Sequence, residues 1–519
     1  MAKLNSLMKD TVIYGLSSIV GRFLNYLLVL VHTRYMPSES GDYGVTTNVY
    51  AYTALLLVLL TFGMETTLFR FANDGRPAAS PSPGRREPAG GGQLAASTLS
   101  EGGAGTKCPG GDGHWPDTVF TTAFATVGTL TALFLVLLFA FIDPIAAHLG
   151  YSTHPDYLLM MGVVVAMDAL QAIPFSYLRF QQRPVRFASL KLLFIALSIG
   201  LNLLFFMGLG KTSAFYVFFI NLLCTTFISL LFIPDLFRIH WHFDSTLLRR
   251  MFAYSWPILV LGIAGILNQV ADKIVFPLVY PDASEANVQL GIYGGCVKIA
   301  MVMAMITQAF RYAYEPIVFA KSKDADKNEY YAAAMKYFLI FTLLAFLGVV
   351  GYMPLLQYII GADYREGLGV VPIVMAAEIM MGVYFNLSFW YKLIDKTIYG
   401  ALFSLVGCAA LLAVNIVFIP KYGYWACAWG GVAGYGTAMV LSYVIGQWKN
   451  PIDYPMAEMG VYVLLTAACY AAMTMVPEAW PDWMHLLVNT ALILLFVAYL
   501  VWKDLPLHSL PVVGKFFKR

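Results

Sequence analysis

Charged side chains are scarce in this sequence. Asp, Glu, Lys and Arg together supply 12% of its 519 residues, whereas 59% are hydrophobic. An ordinary soluble domain has about 25% charged residues and could not bury so large an apolar fraction. The shortage of charge therefore excludes a soluble protein and predicts an all-α polytopic membrane protein. The net charge of +3 is small, and we expect no nucleic-acid partner.

Cysteine is rare as well, and the usual cofactor motifs are missing. The six cysteines form no CxxC pair, and five of them lie within apolar runs, where cysteine is usually a small packing residue. The Gly-rich pieces of residues 74–117 have no preceding strand and no following GK[ST], so they are not a phosphate-binding loop. The sequence thus predicts no disulfide framework, no metal, no cofactor and no catalytic residue.

Long apolar runs are abundant, and they predict fourteen membrane-spanning helices, because about 20 apolar residues are needed to cross a bilayer. Lys3 and Lys9 precede the first run, and no small-residue cleavage site follows it, which indicates an uncleaved helix. The predicted spans are 11–33, 43–65, 118–142, 157–178, 187–208, 213–234, 253–279, 290–311, 332–354, 368–391, 397–419, 424–447, 457–477 and 484–502.

The positive charges give an independent test of this topology. With the N-terminus in the cytoplasm, 26 of the 33 Lys and Arg residues lie in inner segments and four in outer segments, while Arg22, Lys273 and Lys298 lie within spans. A miscounted span in the middle would invert every later loop and remove the bias. The distribution therefore predicts fourteen spans with both termini in the cytoplasm.

One segment differs in composition from the rest. Residues 74–117 are rich in Gly, Pro, Ala and Ser and cannot bury enough apolar surface to order themselves. We expect a disordered cytoplasmic insertion. The organisation predicted around it is an N lobe of six spans (1–235), a C lobe of six spans (236–448), and two further spans with a cytoplasmic tail (449–519).

A long-period repeat supports the two lobes. Gly41-Asp-Tyr43-Gly44 is echoed by Gly291-Ile-Tyr293-Gly294, an offset of 250 residues that Glu65 and Glu315 share. Repeats of this kind in membrane proteins build two related bundles around a central path. Chance is the alternative, because Gly and Tyr are common in this chain.

Ionisable residues within the spans are the candidate functional groups, because each costs a few kcal/mol to insert and therefore needs a partner, a cavity or a function. At about 1.5 Å per residue, three lie near the midplane: Arg22, Asp168 and Glu378. Three more lie in the outer part: Asp272, Lys273 and Lys298. Four crowd the predicted inner mouth: Glu65, Arg70, Arg311 and Glu315.

The first span indicates where its charge points. Its polar residues recur at steps of four, four and three, which places them on one helix face; they are Tyr14, Ser18, Arg22 and Asn25. We expect this face to point into the bundle. Buried ion pairs are the alternative role: Arg22 with Asp168 or Glu378, and Lys298 with Asp272.

Taken together, these residues resemble a known superfamily. An internal arginine in the first span, the following G-x-Y-G, a basic turn before Tyr254-Ser-Trp-Pro-Ile-Leu259 and two parallel six-helix lobes are similar to the multidrug/oligosaccharidyl-lipid/polysaccharide exporter superfamily. The nearest likeness is to its Wzx-type polysaccharide biosynthesis flippases. The likeness covers nearly the whole chain except 74–117. It departs in one respect: the six charges within the spans sum to zero.

The resemblance implies a V-shaped transporter of the bacterial inner membrane, and not an enzyme. Its cargo would be an undecaprenyl-pyrophosphate-linked oligosaccharide, with Arg22 and Asn25, then Lys298 and Lys273, facing the head group. H⁺ or Na⁺ would be candidate coupling ions, and glycan polymerase or export proteins candidate partners. Close alternatives are a lipid II flippase and an ion-coupled multidrug exporter. A membrane glycan polymerase or ligase is disfavoured, because the outer loops are short.

Overall fold

The computed structural model describes residues 27–74, 114–320, 326–394, 396, 398–477 and 479–504. Every regular element within these residues is a helix, which confirms the all-α class. In chain order the helices are residues 27–35 (α1), Asp42–Thr61 (α2), Met64–Asp74 (α3), Trp115–Ala140 (α4), Ile142–His148 (α5), Pro155–Phe180 (α6), Pro184–Asn202 (α7), Ala214–Leu236 (α8), Ser245–Val279 (α9), Ala283–Ala320 (α10), Lys327–Gly351 (α11), Met353–Leu356 (α12), Val371–Leu387 (α13), Phe389–Leu393 (α14), Ile398–Tyr422 (α15), Tyr424–Lys449 (α16), Met456–Thr474 (α17) and Asp482–Lys503 (α18).

Thirteen stretches of the described residues are helical, long and apolar enough to cross a membrane, and each coincides with one of the last thirteen predicted spans. The helices α2 and α3 form one span, Asp42–Asn73, and a 3₁₀ segment with α13 and α14 forms another, Ala362–Lys392. The first predicted span lies outside the described residues except for its last part, in α1. We call the end where α2 and α10 begin the outer end, following the predicted topology.

Two features of the sequence shape these helices locally. Prolines open α4, α6 and α7, where a missing N–H has no partner to lose. Phe62 and Gly63 both have positive φ, 50° and 67°, and so break the second span into α2 and α3. A Cβ on Gly63 would lie 3.1 Å from Cγ2 of Ile258 in α9. The break therefore lies where this span approaches α9 closely.

The structure corrects one boundary of the predicted insertion. Residues 75–113 lie outside the described part of the chain, but Trp115, Pro116 and Asp117 form the first turn of α4. The indole N–H of Trp115 donates to the carbonyl of Phe71 at 3.0 Å. Composition alone assigned these residues to the insertion, because Trp-Pro reads as the end of a loop when the partner helix is unknown.

The apolar cores differ between the two ends of the molecule. One large cluster contains residues of both lobes, and its N-lobe members come from the outer halves of their helices: Val29, Met36, Tyr43, Phe206, Val217, Ile220 and Cys224. At the inner end the described residues form separate clusters. One packs α3, α4 and α6 against the start of α9, and another packs α10 against α11 and α14. Among these clusters of described residues, the outer one joins the N lobe to several C-lobe helices, whereas at the inner end the start of α9 is the one C-lobe element that packs with the N lobe.

The last two spans are tied to the C lobe at the inner end. Lys336 of α11 forms ion pairs with Glu458 of α17 and Asp504 at the end of α18. The hydroxyl of Tyr462 donates to the second oxygen of Asp504. Apolar side chains of α17 and α18 also pack against α11. These contacts dock the final two spans against the outside of the C lobe.

Candidate functional site

The two G-x-Y-G motifs lie directly against each other at the outer end. A Cβ on Gly44 would overlap the carbonyl of Asn287, and one on Gly291 would lie 3.0 Å from the amide nitrogen of Gly44. A Cβ on Gly294 would lie 2.5 Å from the hydroxyl oxygen of Thr47. Small residues permit such close approach of helices in membranes. The repeated motifs therefore form the crossing of α2 and α10, one helix from each lobe.

Hydrogen bonds across the lobes reinforce this outer closure. The side-chain amide of Asn48 donates to the backbone carbonyl of Lys273 at 2.7 Å. The N–H of Gly361 donates to the hydroxyl of Thr33 at 3.0 Å, and the Tyr364 hydroxyl donates to the carbonyl of Met36 at 3.0 Å. Backbone groups that would lack partners in a dry interior are satisfied here. The contacts therefore hold the lobes together at their outer ends.

Tyr151 orients the side chain of Asn48. Its hydroxyl donates to the side-chain oxygen of Asn48 at 2.7 Å. Tyr151 lies in the loop between spans, and burial raises its pKa, which keeps the phenol protonated as a donor. Asn48 is thereby fixed with its amide group towards α9.

Asp272 is the best-connected charge of the outer part. It is 6% exposed, and each carboxylate oxygen lies 3.1 Å from the ammonium nitrogen of Lys273. The hydroxyl of Tyr293, from the second G-x-Y-G, also donates to it at 2.9 Å. The structure therefore pairs Asp272 with its chain neighbour and with Tyr293, and the alternative pairing with Lys298 is wrong.

Two further predicted site residues have unsatisfied charge. One carboxylate oxygen of Glu378, on α13, is buried and has no hydrogen-bond partner among the described residues. Lys298, on α10, has no hydrogen bond or ion pair within the part of the chain that the structure describes. Ionisable groups within membrane spans mark substrate paths, ion paths or proton relays. Both remain candidates for cargo or ion binding.

The remaining midplane acid lies inside the N lobe. Asp168, on α6, accepts a 3.5 Å hydrogen bond from the hydroxyl of Thr225 on α8. Lys191 lies on α7, within the predicted span 187–208, and its ammonium nitrogen lies 4.0 Å from the ring centroid of Phe175.

The four residues of the predicted inner mouth have different partners. Glu65 accepts from Arg179 at 3.3 Å and from the hydroxyl of Ser176 at 3.2 Å. The Arg70 guanidinium lies 4.1 Å from the ring centroid of Tyr254. The Arg311 guanidinium lies 4.8 Å from the ring centroid of Phe385. The side chain of Glu315 is outside the described part, as are Arg22 and Asn25.

His32 is a buried polar residue that our sequence analysis missed. It lies at the outer end of the first span, and its Nε2 is 2.7 Å from the side-chain oxygen of Asn202 on α7. A histidine and an asparagine at matching depth in two spans were the available signal, but nothing in the sequence pairs helices that lie 170 residues apart.

Long apolar helices in two lobes, with a tight crossing at the outer end and ionisable groups within the spans, have the architecture of a membrane transporter. Known structures share it. The chain is similar to a structure described as lipid II flippase MurJ in the inward closed conformation, with a TM-score of 0.70 and 13% identity over 95% of this chain and 99% of that chain. It is also similar to an inward-facing multidrug resistance MATE family transporter of the MOP superfamily, with a TM-score of 0.61 and 12% identity over 86% and 96% of the two chains.

A family model narrows the class. The model described as polysaccharide biosynthesis protein matches residues 113–368. No curated protein matches the chain. The family match and the shared fold confirm the predicted resemblance to polysaccharide biosynthesis flippases of the multidrug/oligosaccharidyl-lipid/polysaccharide exporter superfamily.

Proposed function

We propose that this protein is a flippase for an isoprenoid-pyrophosphate-linked oligosaccharide used in cell-surface polysaccharide synthesis. The observation that carries the proposal is the asymmetry of the cores. One apolar core and a glycine crossing join the lobes at the outer end, whereas at the inner end of the described residues the N lobe packs with the start of α9 alone and α10, α11 and α14 form a separate core. A state closed outside, with lobes that can part inside, is what a carrier needs to load cargo from the inner leaflet.

The transport step requires no covalent chemistry. A sugar-phosphate head group would meet hydrocarbon if it crossed the bilayer alone, and unpaired polar groups in hydrocarbon cost several kcal/mol each. A path between the lobes spares the head group that cost, while the isoprenoid tail stays in lipid. The outer closure must then open, so that the surfaces at Gly44, Gly291 and Gly294 separate.

The cargo assignment rests on the family match and on charge chemistry. The matched family is one of polysaccharide biosynthesis. A pyrophosphate carries negative charge, and arginine binds it with a planar, bidentate fork. We therefore propose that Arg22 contacts the head group, with Asn25, Lys298 and Lys273 nearby. We place the protein in the bacterial inner membrane, where such precursors are made.

An ion-coupled exporter is the second candidate, and one observation favours it. The buried oxygen of Glu378 without a described partner is suited to bind a proton or a cation. A MATE transporter is among the similar structures, and that fold hosts drug export there. Glu378 is equally compatible with an H⁺- or Na⁺-coupled flippase, so we propose Asp168, Asp272 and Glu378 as the residues to examine for coupling.

Complementation separates these functions. The gene would be expressed in three bacterial strains: one lacking an oligosaccharide flippase, one depleted of its lipid II flippase, and one lacking drug exporters. We expect surface glycan to return only in the first. Growth rescued only in the second strain would identify lipid II as the cargo. Drug resistance restored only in the third would overturn the flippase proposal. Membrane levels in each strain, measured by blot, are the control.

A further inference from the structure

A second polar cluster lies at the inner end of the N lobe. It consists of His114, which precedes α4, Asp117 in the first turn of α4, and His240 in the linker between α8 and α9. One oxygen of Asp117, Oδ2, lies 3.4 Å from Nδ1 of His240 and 3.9 Å from Nδ1 of His114. The three groups therefore face one point.

The cluster is held from several sides. The second oxygen of Asp117, Oδ1, accepts a hydrogen bond from the hydroxyl of Tyr177 on α6. The backbone N–H of His240 donates to Oδ2 at 3.4 Å, and Thr121 of α4 donates to the carbonyl of His242. Carboxylates that bind metals are commonly oriented by such an additional hydrogen bond. The arrangement leaves Oδ2 directed at the two imidazoles.

We propose that His114, Asp117 and His240 bind a divalent transition metal ion of the Zn²⁺ class. Their ligand atoms all lie within 4.8 Å of one another, and ligands of a tetrahedral zinc with bonds of about 2.0–2.1 Å stand about 3.3 Å apart. Small side-chain rotations close that difference. Two imidazole nitrogens and one carboxylate oxygen suit zinc, nickel or copper rather than magnesium or calcium.

A simple ion pair between a protonated histidine and Asp117 is the competing account. It explains one histidine but not two. The rings of His114 and His240 lie 4.0 Å apart between centroids, and two imidazolium ions at that distance would repel each other. A metal ion binds both rings in their neutral form. Both histidines are exposed, so an ion can enter from solvent and keep water on its open side.

The position of the site gives the metal a structural consequence. His240 lies in the segment that joins α8 to α9, and hence the N lobe to the C lobe. His114 and Asp117 belong to the N lobe itself. A bound ion therefore clamps the connection between the lobes to one of them. Because the ion binds the folded protein, it also raises the apparent stability by mass action.

The test is a metal titration of the full-length protein in detergent, purified through a tag without histidine. Cys108 is replaced by serine, because it is the one cysteine outside the described residues, and the other five are buried. Co²⁺ is added and its visible absorption recorded, then Zn²⁺ is added to displace it. We expect one Co²⁺ per chain, displaced by one Zn²⁺, and a Zn²⁺-dependent rise in melting temperature.

Variants identify the ligands. His114→Ala and His240→Ala should each weaken binding at least tenfold and abolish the melting shift. His154→Ala is the matched control: its Nδ1 lies 3.8 Å from an Asp156 oxygen, with no third ligand described. It should bind like the parent. No binding by the parent at millimolar metal, or equal losses in all three variants, would overturn the proposal. Elution as a single monodisperse peak confirms that each variant is folded.

Discussion

At the scale of single residues, Arg22 decides between two roles. As a head-group contact it needs the guanidinium fork, so Arg22→Lys should reduce glycan export and Arg22→Ala should reduce it further, with the protein still inserted. If Arg22 instead forms an ion pair, it needs only to neutralise the charge of Asp168 or Glu378. Glycan export by each variant is measured by complementation, and the amount of each variant in the membrane is measured by blot.

Double variants of the same residue complete the test. Arg22→Ala combined with Asp168→Asn, or with Glu378→Gln, removes both charges of an ion pair. Head-group binding predicts no recovery in either combination. Full activity in one of them would assign Arg22 to the ion pair and leave the head group without this contact.

The Asp272 pair makes a stability prediction. Removing one partner of a buried ion pair costs about 3–5 kcal/mol, because the other charge is left uncompensated. Asp272→Asn should therefore lower the melting temperature in detergent by several degrees, and Asp272→Asn with Lys273→Gln should recover most of the loss. Asp156→Asn, at an exposed outer acid, is the control and should change little. An unaltered melting temperature for Asp272→Asn would show that water already solvates this pair.

The partners of individual side chains were the feature that the sequence predicted least well. Depth along a span is a local property, so Asp272, Lys273 and Lys298 could be placed as membrane charges from the chain alone. Their partners depend on how each helix is rotated and which neighbour it meets. That is why the hydrogen bond from Tyr293 to Asp272 could be found only in the folded chain.

At the scale of elements, the crossing of α2 and α10 depends on glycine. A side chain at Gly44 would overlap the Asn287 carbonyl, and overpacking of this kind costs about 1–3 kcal/mol. Gly44→Ala should therefore shift the population of the outer-closed state at least fivefold towards opening. The measurement is labelling of a cysteine placed at Thr47 by a membrane-impermeant reagent.

A second glycine provides the control for that experiment. Gly200, in α7, has no atom within 4 Å of an added Cβ, so Gly200→Ala should leave the labelling rate unchanged. Equal labelling of Gly44→Ala and its parent would mean that the crossing tolerates a side chain and does not limit opening.

The helices themselves were predictable because hydropathy over about 20 residues needs no tertiary information. All thirteen described spans coincide with predicted ones. The errors lie at the ends of helices. Trp115–Asp117 form the first turn of α4, where the Trp115 indole donates to the Phe71 carbonyl, and no local sequence pattern encodes that contact. The sequence repeat identified the two G-x-Y-G motifs, but it did not predict that they contact each other.

At the scale of the whole molecule, transport should require the lobes to separate at the outer end. A Cβ on Gly294 would lie 3.3 Å from that of Thr47, close to the 3.5–4.5 Å typical of disulfides. Thr47→Cys with Gly294→Cys, in a Cys108→Ser background, should therefore stop export when oxidised and regain it when reduced. Export that continues in the oxidised protein, with the crosslink verified by mass spectrometry, would contradict alternating access at this closure.

The insertion belongs to the same scale. Deleting residues 76–112 should leave membrane insertion and export nearly intact, since the composition of this segment predicts no folded core and closure entropy changes only slowly with the length of a connection. Export in the complementing strain and membrane levels are measured together. Loss of export from a protein present at normal levels would reveal a role for the segment.

The core shared by the outer ends also has a consequence for biosynthesis. Tyr43 belongs to the same apolar cluster as Tyr293 and Cys296, so the ribosome must add some 250 residues before that part of the N lobe is complete. At about 5–20 residues per second, this takes about 12–50 s. Throughout that interval the amide of Asn48 lacks the Lys273 carbonyl that it finally meets. We therefore expect this amide to bind water or another polar group until the C lobe has been inserted.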